Sequence, residues 1–368
     1  MEGQLRDYIQ ALFKLDSTSS VKDALVELET LAPFRLRIKV LYSSSSPTTV
    51  FEKLANRGEI SHLGPRSNSY TYNTTVGREH KRELSVPFFV ASFESLGGES
   101  HTEAIVSVCK RDEWNALRRY TQHKYPSLVP VLLSQGELIE TIQLLRSHTE
   151  HSINVKAFSA KERLSKREGR ASKSIREWTN EELNEAIQVI RERNQIVTAF
   201  EVEFYPHIGR YSHVQPRAVC NLRKNGEIEV TGSFRLAFDT VATHVAGIGE
   251  KKLHTLSSRG LRDSQYQSQP IKIDFSGSLF SEKEQVQFFV GVLKKYPHSM
   301  YAINHGNPYA HIKLTDLLDG SSLDVYAVPP QHVTLIPGLK TTEASLQRLI
   351  HYIYDSFHEG NVVNRDRD

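Results

Sequence analysis

The stretch AHIKLTDLLDGSSLDVYAV, residues 310–328, decides how the last third of the chain folds. It predicts two strands, over 310–314 and 323–328. Asp319-Gly320 between them is a hairpin signal, because both residues tolerate the positive φ of a tight turn. Strands are also predicted over 271–275, 300–303 and 333–336. Ser281 and Glu284 cap a helix with Val286, Phe289, Val290 and Leu293 on its apolar face, and a second helix is predicted over 343–357. Asn225-Gly226 marks another hairpin, between strands over 219–222 and 228–230. Consecutive short strands with helices at either end indicate an α+β domain with antiparallel hairpins.

The first part of the chain alternates differently. Leu5, Tyr8, Ile9, Leu12 and Phe13 recur at helical spacing, and so do Val21, Ala24, Leu25, Leu28 and Leu31. Phe34, Leu36, Ile38 and Val40 then alternate with Arg35, Arg37 and Lys39, the mark of a half-buried strand. Residues 58–73 are polar and read as a long exposed loop ending near a Tyr70/Tyr72 strand; further strands and helices follow to residue 158. The expected class is therefore mixed α/β and α+β. An N-terminal α/β domain over 1–158 is followed by a basic linker or arm over 159–178, an α+β domain over 179–360 and a polar tail over 361–368. A capping box at Thr179 and Glu182 opens the second domain.

Composition narrows the class without naming a function. With 39% hydrophobic and 24% charged residues over 368 positions, the chain can bury a large core and is not a disordered polymer. The two cysteines, Cys109 and Cys220, have no zinc or redox spacing and sit in apolar alternating runs as small hydrophobes. The first residues have no secretory plan, and no apolar run reaches the about 18 to 20 residues of a membrane span. The expected compartment is the cytoplasm, with no membrane partner.

Charge is local. Residues 156–176 hold Lys156, Lys161, Arg163, Lys166, Arg167, Arg170, Lys173 and Arg176 against Glu162 and Glu168, in a chain whose net charge is only +3. Such a segment can neutralise several phosphates, giving salt-dependent and sequence-independent affinity for DNA or RNA. Trp178 just beyond it is a candidate for stacking on an unpaired base. The leading expectation is a nucleic-acid-associated accessory or recognition protein, one that works with a protein partner.

The densest polar cluster lies further on. His305 and His311 flank a Gly306-Asn307-Pro308 turn, and Lys313, Asp316, Asp319 and Asp324 follow. Residues two apart in a strand share a side, so His311 and Lys313 project together. With His332, these residues define a second expectation, a phosphoester hydrolase. His305, His311 and His332 act there as acid, base or phosphate ligands, oriented by Asp316 or Asp324. The tripeptide His332-Val333-Thr334 resembles the His-x-Thr/Ser element of the two-histidine phosphoesterases. That family uses the tripeptide twice, and the chain carries one full match. Glu201 and Glu203 share a strand face but lack a lysine or further acid at nuclease spacing in the sequence. Gly247-Ile248-Gly249 is not closed by the Gly-Lys-Ser/Thr of a P-loop. No cofactor or metal is expected, and a scaffold without catalysis is the third alternative.

Overall fold

The computed structural model describes residues 21–29, 35–43, 47–55, 59–63, 68–76, 82–93, 102–147, 151–162, 168–172, 178–193, 195–206, 216–260, 270–275, 279–280, 283–306, 309–330, 332–338 and 340–363. Helices and antiparallel sheets make up a mixed fold in two compact units, Met1–Glu250 and Lys251–Asp368.

In the first unit the chain runs through helix α1 (Val21–Glu29), β1 (Leu36–Tyr42), α2 (Pro47–Ala55), β2 (Ile60–His62), β3 (Ser69–Val76), β4 (Arg82–Ser92) and β5 (Thr102–Val108). Helix α3 (Arg111–Lys124), β6 (Val129–Pro130), α4 (Gln135–Ser147), β7 (His151–Glu162), β8 (Glu168–Ser172), α5 (Asn180–Glu192) and β9 (Gln195–Pro206) follow. The unit ends with β10 (Ala218–Arg223), β11 (Glu227–Gly232), the short helix α6 (Phe234–Ala237) with a π-helical turn over Phe238–Ala242, and α7 (Thr243–Gly260), which runs past residue 250. Eleven of these strands form one sheet in the order β2-β3-β4-β5-β1-β11-β10-β9-β7-β8, with β6 paired to β1. All the described pairings are antiparallel.

Three expectations change here. Among the described residues of 21–158 helices and strands do alternate, but the strands pair antiparallel, so this stretch is not an α/β crossover unit. Nor does it close on itself: β7 pairs along its length with β9, from His151↔Pro206 to Glu162↔Gln195. The expected boundary at 158–179 thus falls inside one sheet. Residues 60–62 form a strand inside the expected loop, and the expected Tyr70/Tyr72 strand runs over 69–76, with both tyrosines buried on the same core as Phe51 and Phe88. The opening helix expected over 1–15 lies outside the described residues.

Local signals that depend on few residues hold. Thr179 Oγ1 accepts the Glu182 amide at 3.2 Å and the Glu182 carboxylate accepts the Thr179 amide at 3.1 Å, closing the capping box at the start of α5. Gly226 turns β10 into β11 at φ +71°, and a Cβ there would stand 2.2 Å from the Val131 carbonyl oxygen. Only glycine satisfies both demands.

The second unit is a two-layer α+β sandwich. It comprises β12 (Ile271–Phe275), α8 (Lys283–Leu293), β13 (Ser299–His305), β14 (Ala310–Asp316), β15 (Ser322–Val328), β16 (His332–Pro337), α9 (Glu343–Ser356) and β17 (Gly360–Val363). The six strands form an antiparallel sheet in the order β13-β14-β15-β16-β12-β17. Ile312, Leu314, Val325 and Leu335 point to one face and pack in a single core with Phe289 of α8 and Leu349 and Ile353 of α9. Residues 361–363, expected as a frayed tail, form the β17 edge against β12 through Lys272↔Val363 and Ile273↔Val362.

An ion cluster ties the end of β14 to α9. Asp316 is fully buried and accepts Arg348 Nη2 at 2.7 Å, Arg348 Nε at 3.0 Å and Ser345 Oγ at 3.1 Å. Asp319 accepts the same Nη2 at 2.6 Å and Thr342 Oγ1 at 2.8 Å. Removing the cation alone leaves these carboxylates uncompensated in a dry site. Arg348→Met is therefore expected to destabilise the unit by about 3–5 kcal/mol, read as a lower urea midpoint by far-ultraviolet circular dichroism.

Candidate binding face

The alternation that buries Ile312 and Leu314 turns their neighbours to the opposite face of the second unit's sheet, away from α8 and α9. One cross-strand row there joins His305, His311, Tyr326, Thr334 and Lys272 through the pairings His305↔His311, His311↔Tyr326, Tyr326↔Thr334 and Lys272↔Thr334. A neighbouring row holds Ala302, Lys313, Asp324 and Ile336, and another holds Val328, His332, Asp274 and Asn361.

Within these rows the rings pair. His311 stacks on Tyr326 with centroids 4.2 Å apart and planes 12° from parallel, and His305 lies 4.4 Å from Tyr309. His311 Nε2 is 2.8 Å from Asp324 Oδ1. An ionised carboxylate only accepts, so Nε2 carries the proton. Nδ1 then faces the Asn304 amide at 3.5 Å. The Tyr326 hydroxyl is raised above its ordinary range by burial, with the Asp324 and Tyr309 charges adding to it. His332 is pushed down by burial and by Lys272, against the opposing pull of Asp274. Lys272 and Asp274 form an ion pair at 3.2 Å.

The structure thus brings His305, His311 and Asp324 together and sets His332 on the same face two strands away. At about 4.8 Å per strand, that is roughly 10 Å between backbones. His332 and Thr334 do share a face, as expected for a His-x-Thr strand. Asp316 is a correction. It shares strand parity with Ala310, Ile312 and Leu314, points to the helices, and is held by Arg348. It cannot orient the histidines. The Asn307-Pro308 turn lies outside the described residues. Among the described residues, no three His, Cys, Asp or Glu side chains gather closely enough to hold a metal, and no helix is long and apolar enough to cross a membrane.

The described parts of the basic segment are two paired strands rather than a linker. Strand β8 returns along β7 with Ser159↔Arg170, Ala160↔Gly169 and Lys161↔Glu168 in register. Lys156 projects toward the acids of β9, with Nζ 2.8 Å from Glu203 Oε1 and 3.8 Å from Glu201 Oε1. Its charge is already met, which removes it from the phosphate-binding set. Lys161 is half-buried opposite Glu168. Arg163, Lys166, Arg167, Lys173 and Arg176 lie outside the described residues, and Arg170 is placed by its backbone alone. Trp178 packs its ring 5.2 Å from that of Phe158. Cys220 is buried and Cys109 half-buried; burial pushes both thiols up, Cys109 to about 12, so neither is poised as a nucleophile.

Sequence reasoning missed a third cluster, in the first unit. Lys39 is 2% exposed in the centre of the sheet, and Nζ donates to the Asn225 carbonyl. Beside it, Glu227 accepts the Trp114 indole at 2.7 Å and Arg118 Nη1 at 3.1 Å. The adjoining cleft, lined by Lys39, Leu41, Ile105, Trp114 and Arg118, has a volume of about 10 Å³. That is room for no more than one water, so the cluster is enclosed by packing and receives no substrate as it stands. The available signal was charge complementarity at period two: Arg37 and Lys39 in β1 face Glu229 and Glu227 in β11.

Burial draws the Lys39 amine down to about 7, with Glu227 opposing and Arg118 and Arg223 reinforcing the drop. Burial alone would raise the Glu227 carboxyl, but Lys39, Arg118 and the Trp114 indole outweigh it and hold it low. An unfolded lysine keeps its proton to about pH 10.4. Between those values the unfolded chain binds more protons, so stability rises with pH. Urea titrations at about pH 7 and about pH 9.5 are expected to show this rise in the native chain and a flatter response in Lys39→Met. Both tryptophans, Trp114 and Trp178, belong to this unit, so their fluorescence reports it alone. Parallel responses in the two proteins would contradict the assignment.

No model of a known protein family matches this sequence, and no curated protein matches it.

Proposed function

We propose that the protein is a nucleic-acid-associated accessory or recognition protein. The face of its second unit that is turned away from α8 and α9 stacks against bases, and, independently, the basic β7–β8 segment of its first unit meets phosphates. The supporting observation is the row from His305 to Lys272. Two imidazole–phenol ring pairs, a threonine hydroxyl and a lysine lie side by side across an antiparallel sheet whose other face carries α8 and α9. Single-stranded nucleic acid is bound by such means, through flat rings that accept a base on either side and cations that follow the backbone. Lys313 in the adjoining row adds positive charge, and Asp324 is turned to His311, 2.8 Å from its Nε2. Lys156 is left out of the phosphate-contacting set; Lys161, Arg163, Lys166, Arg167, Arg170, Lys173 and Arg176 remain in it.

The test is anisotropy of labelled single-stranded and duplex DNA and RNA at low and moderate salt. Each stacked base contributes about 1–3 kcal/mol, so the double variant His311→Ala/Tyr326→Ala is expected to lose roughly five- to hundredfold in affinity for single strands. Replacing Arg163, Lys166, Arg167 and Arg170 together with alanine is expected to flatten the salt dependence. Unchanged affinity in both variants removes the proposal.

The His311–Asp324 contact favours a second reading, phosphoester hydrolysis, with Asp324 orienting His311 as general base and His305 beside it. It predicts hydrolysis of bis(4-nitrophenyl) phosphate that falls by about 10²–10⁴-fold in His311→Ala. Absence of turnover in the native chain rejects it.

A further inference from the structure

The large apolar side chains exposed on this chain are not scattered evenly. Met300, Tyr301 and Ile303 of β13 are 61%, 45% and 41% exposed, and Tyr309 and Leu317, at 40% and 55%, flank the strand on the segments that bound β14. Strand β13 is an outermost strand of its sheet, paired on one side to β14. The Leu317 amide donates to the His298 carbonyl at 2.8 Å, so residue 298 turns its backbone groups toward the β14 side. Alternation then points the N–H and C=O of Tyr301 and Ile303 toward the outer edge. Natural edge strands are usually blunted by lysine, proline or an inward charge. Residues 299–304 contain none of these, and the bulge between Ile303 and His305 lies only at the far end.

We propose that β13 is a self-association edge, pairing antiparallel with β13 of a second copy about a two-fold axis through Ala302. That operator sets Tyr301 opposite Ile303 of the other copy and Met300 opposite Asn304. The faces agree. Tyr301 and Ile303 both lie on the helix side, across from Leu314 and Ile312, while Met300 and Ala302 lie on the other side, across from Thr315 and Lys313. The exposed edge groups of Tyr301 and Ile303 then bond each other in both directions. No formal charge meets a like charge. A specific interface needs about 1,000 Å² in total, and a contact along one short edge with its flanking side chains is accordingly expected to be concentration-dependent. An axis normal to the sheet keeps both helix layers on one side. The inference does not depend on what the sheet face binds.

Sedimentation of the full chain across micromolar concentrations tests it. The native protein is expected to double in mass with concentration, and Ile303→Lys, a change at an exposed position, to stay monomeric. Ala302 sits at a non-hydrogen-bonded pair, where Cα atoms lie about 4.5 Å apart, within disulfide reach. Ala302→Cys is therefore expected to cross-link under mild oxidation, with the native chain as control for Cys109 and Cys220, and Tyr301→Cys is not. A native chain that stays monomeric, a dimer that survives Ile303→Lys, or a dimer that Ala302→Cys fails to cross-link overturns the proposal.

Discussion

An antiparallel sheet that packs one face against α8 and α9 is the constraint from which the second unit's chemistry follows. Once Ile312, Leu314, Val325 and Leu335 are committed to the core beneath α8 and α9, period two leaves no choice for the residues between them. His311, Lys313, Asp324, Tyr326, His332 and Thr334 must share the other face. Register then decides which of them meet. Had β15 slipped by one residue against β14, Tyr326 would leave His311 and its core residues would turn to solvent, a loss of roughly 1.5–3 kcal/mol for each large apolar side chain. The ring pairs are thus held in place by the hydrophobic effect acting on their neighbours.

This explains what could be read from the chain in advance. The hairpins at Asn225-Gly226 and Asp319-Gly320, the capping box at Thr179 and the shared face of His311 and Lys313 depend on residues close in sequence, and each is present. The same parity argument separates Asp316 from Asp324 as the structure does, because Asp316 counts with Ile312 and Leu314. The two were grouped by nearness along the chain alone. What local pattern cannot supply is the partner. The basic segment reads as a linker because it is poor in apolar residues, yet β7 pairs with β9 some forty residues away and Lys156 meets Glu203 across that gap. Residue 39 likewise reads as the solvent side of a half-buried strand. In fact β1 lies mid-sheet, between β5 and β11, and all seven of its residues are buried.

The two units handle buried charge differently. In the second, Asp316 and Asp319 share one guanidinium, whose planar fork matches carboxylates and whose charge is permanent. In the first, a lysine occupies the equivalent role beside Glu227, and an amine can yield its proton when desolvated. Arg118 and the Trp114 indole already satisfy Glu227, so the carboxylate keeps partners whether or not Lys39 is charged. The cost of burial therefore falls on the amine, and the unit tolerates its neutral form.

Enclosure also separates the clusters by what they can do. Lys39 is perturbed because it is dry, Asp316 is buried under its ion pair with Arg348, and the packing around both keeps ligands out. The groups on the sheet face of the second unit are partly solvated, and Tyr326 and His311 present ring surfaces on the side away from α8 and α9. Perturbed ionisation is often a guide to function, but at Lys39 it marks structural charge, and the accessible chemistry lies on the sheet face of the second unit. Accessibility together with ring stacking makes the row from His305 to Lys272 the better candidate, because a ligand must reach a group before that group's acidity can matter.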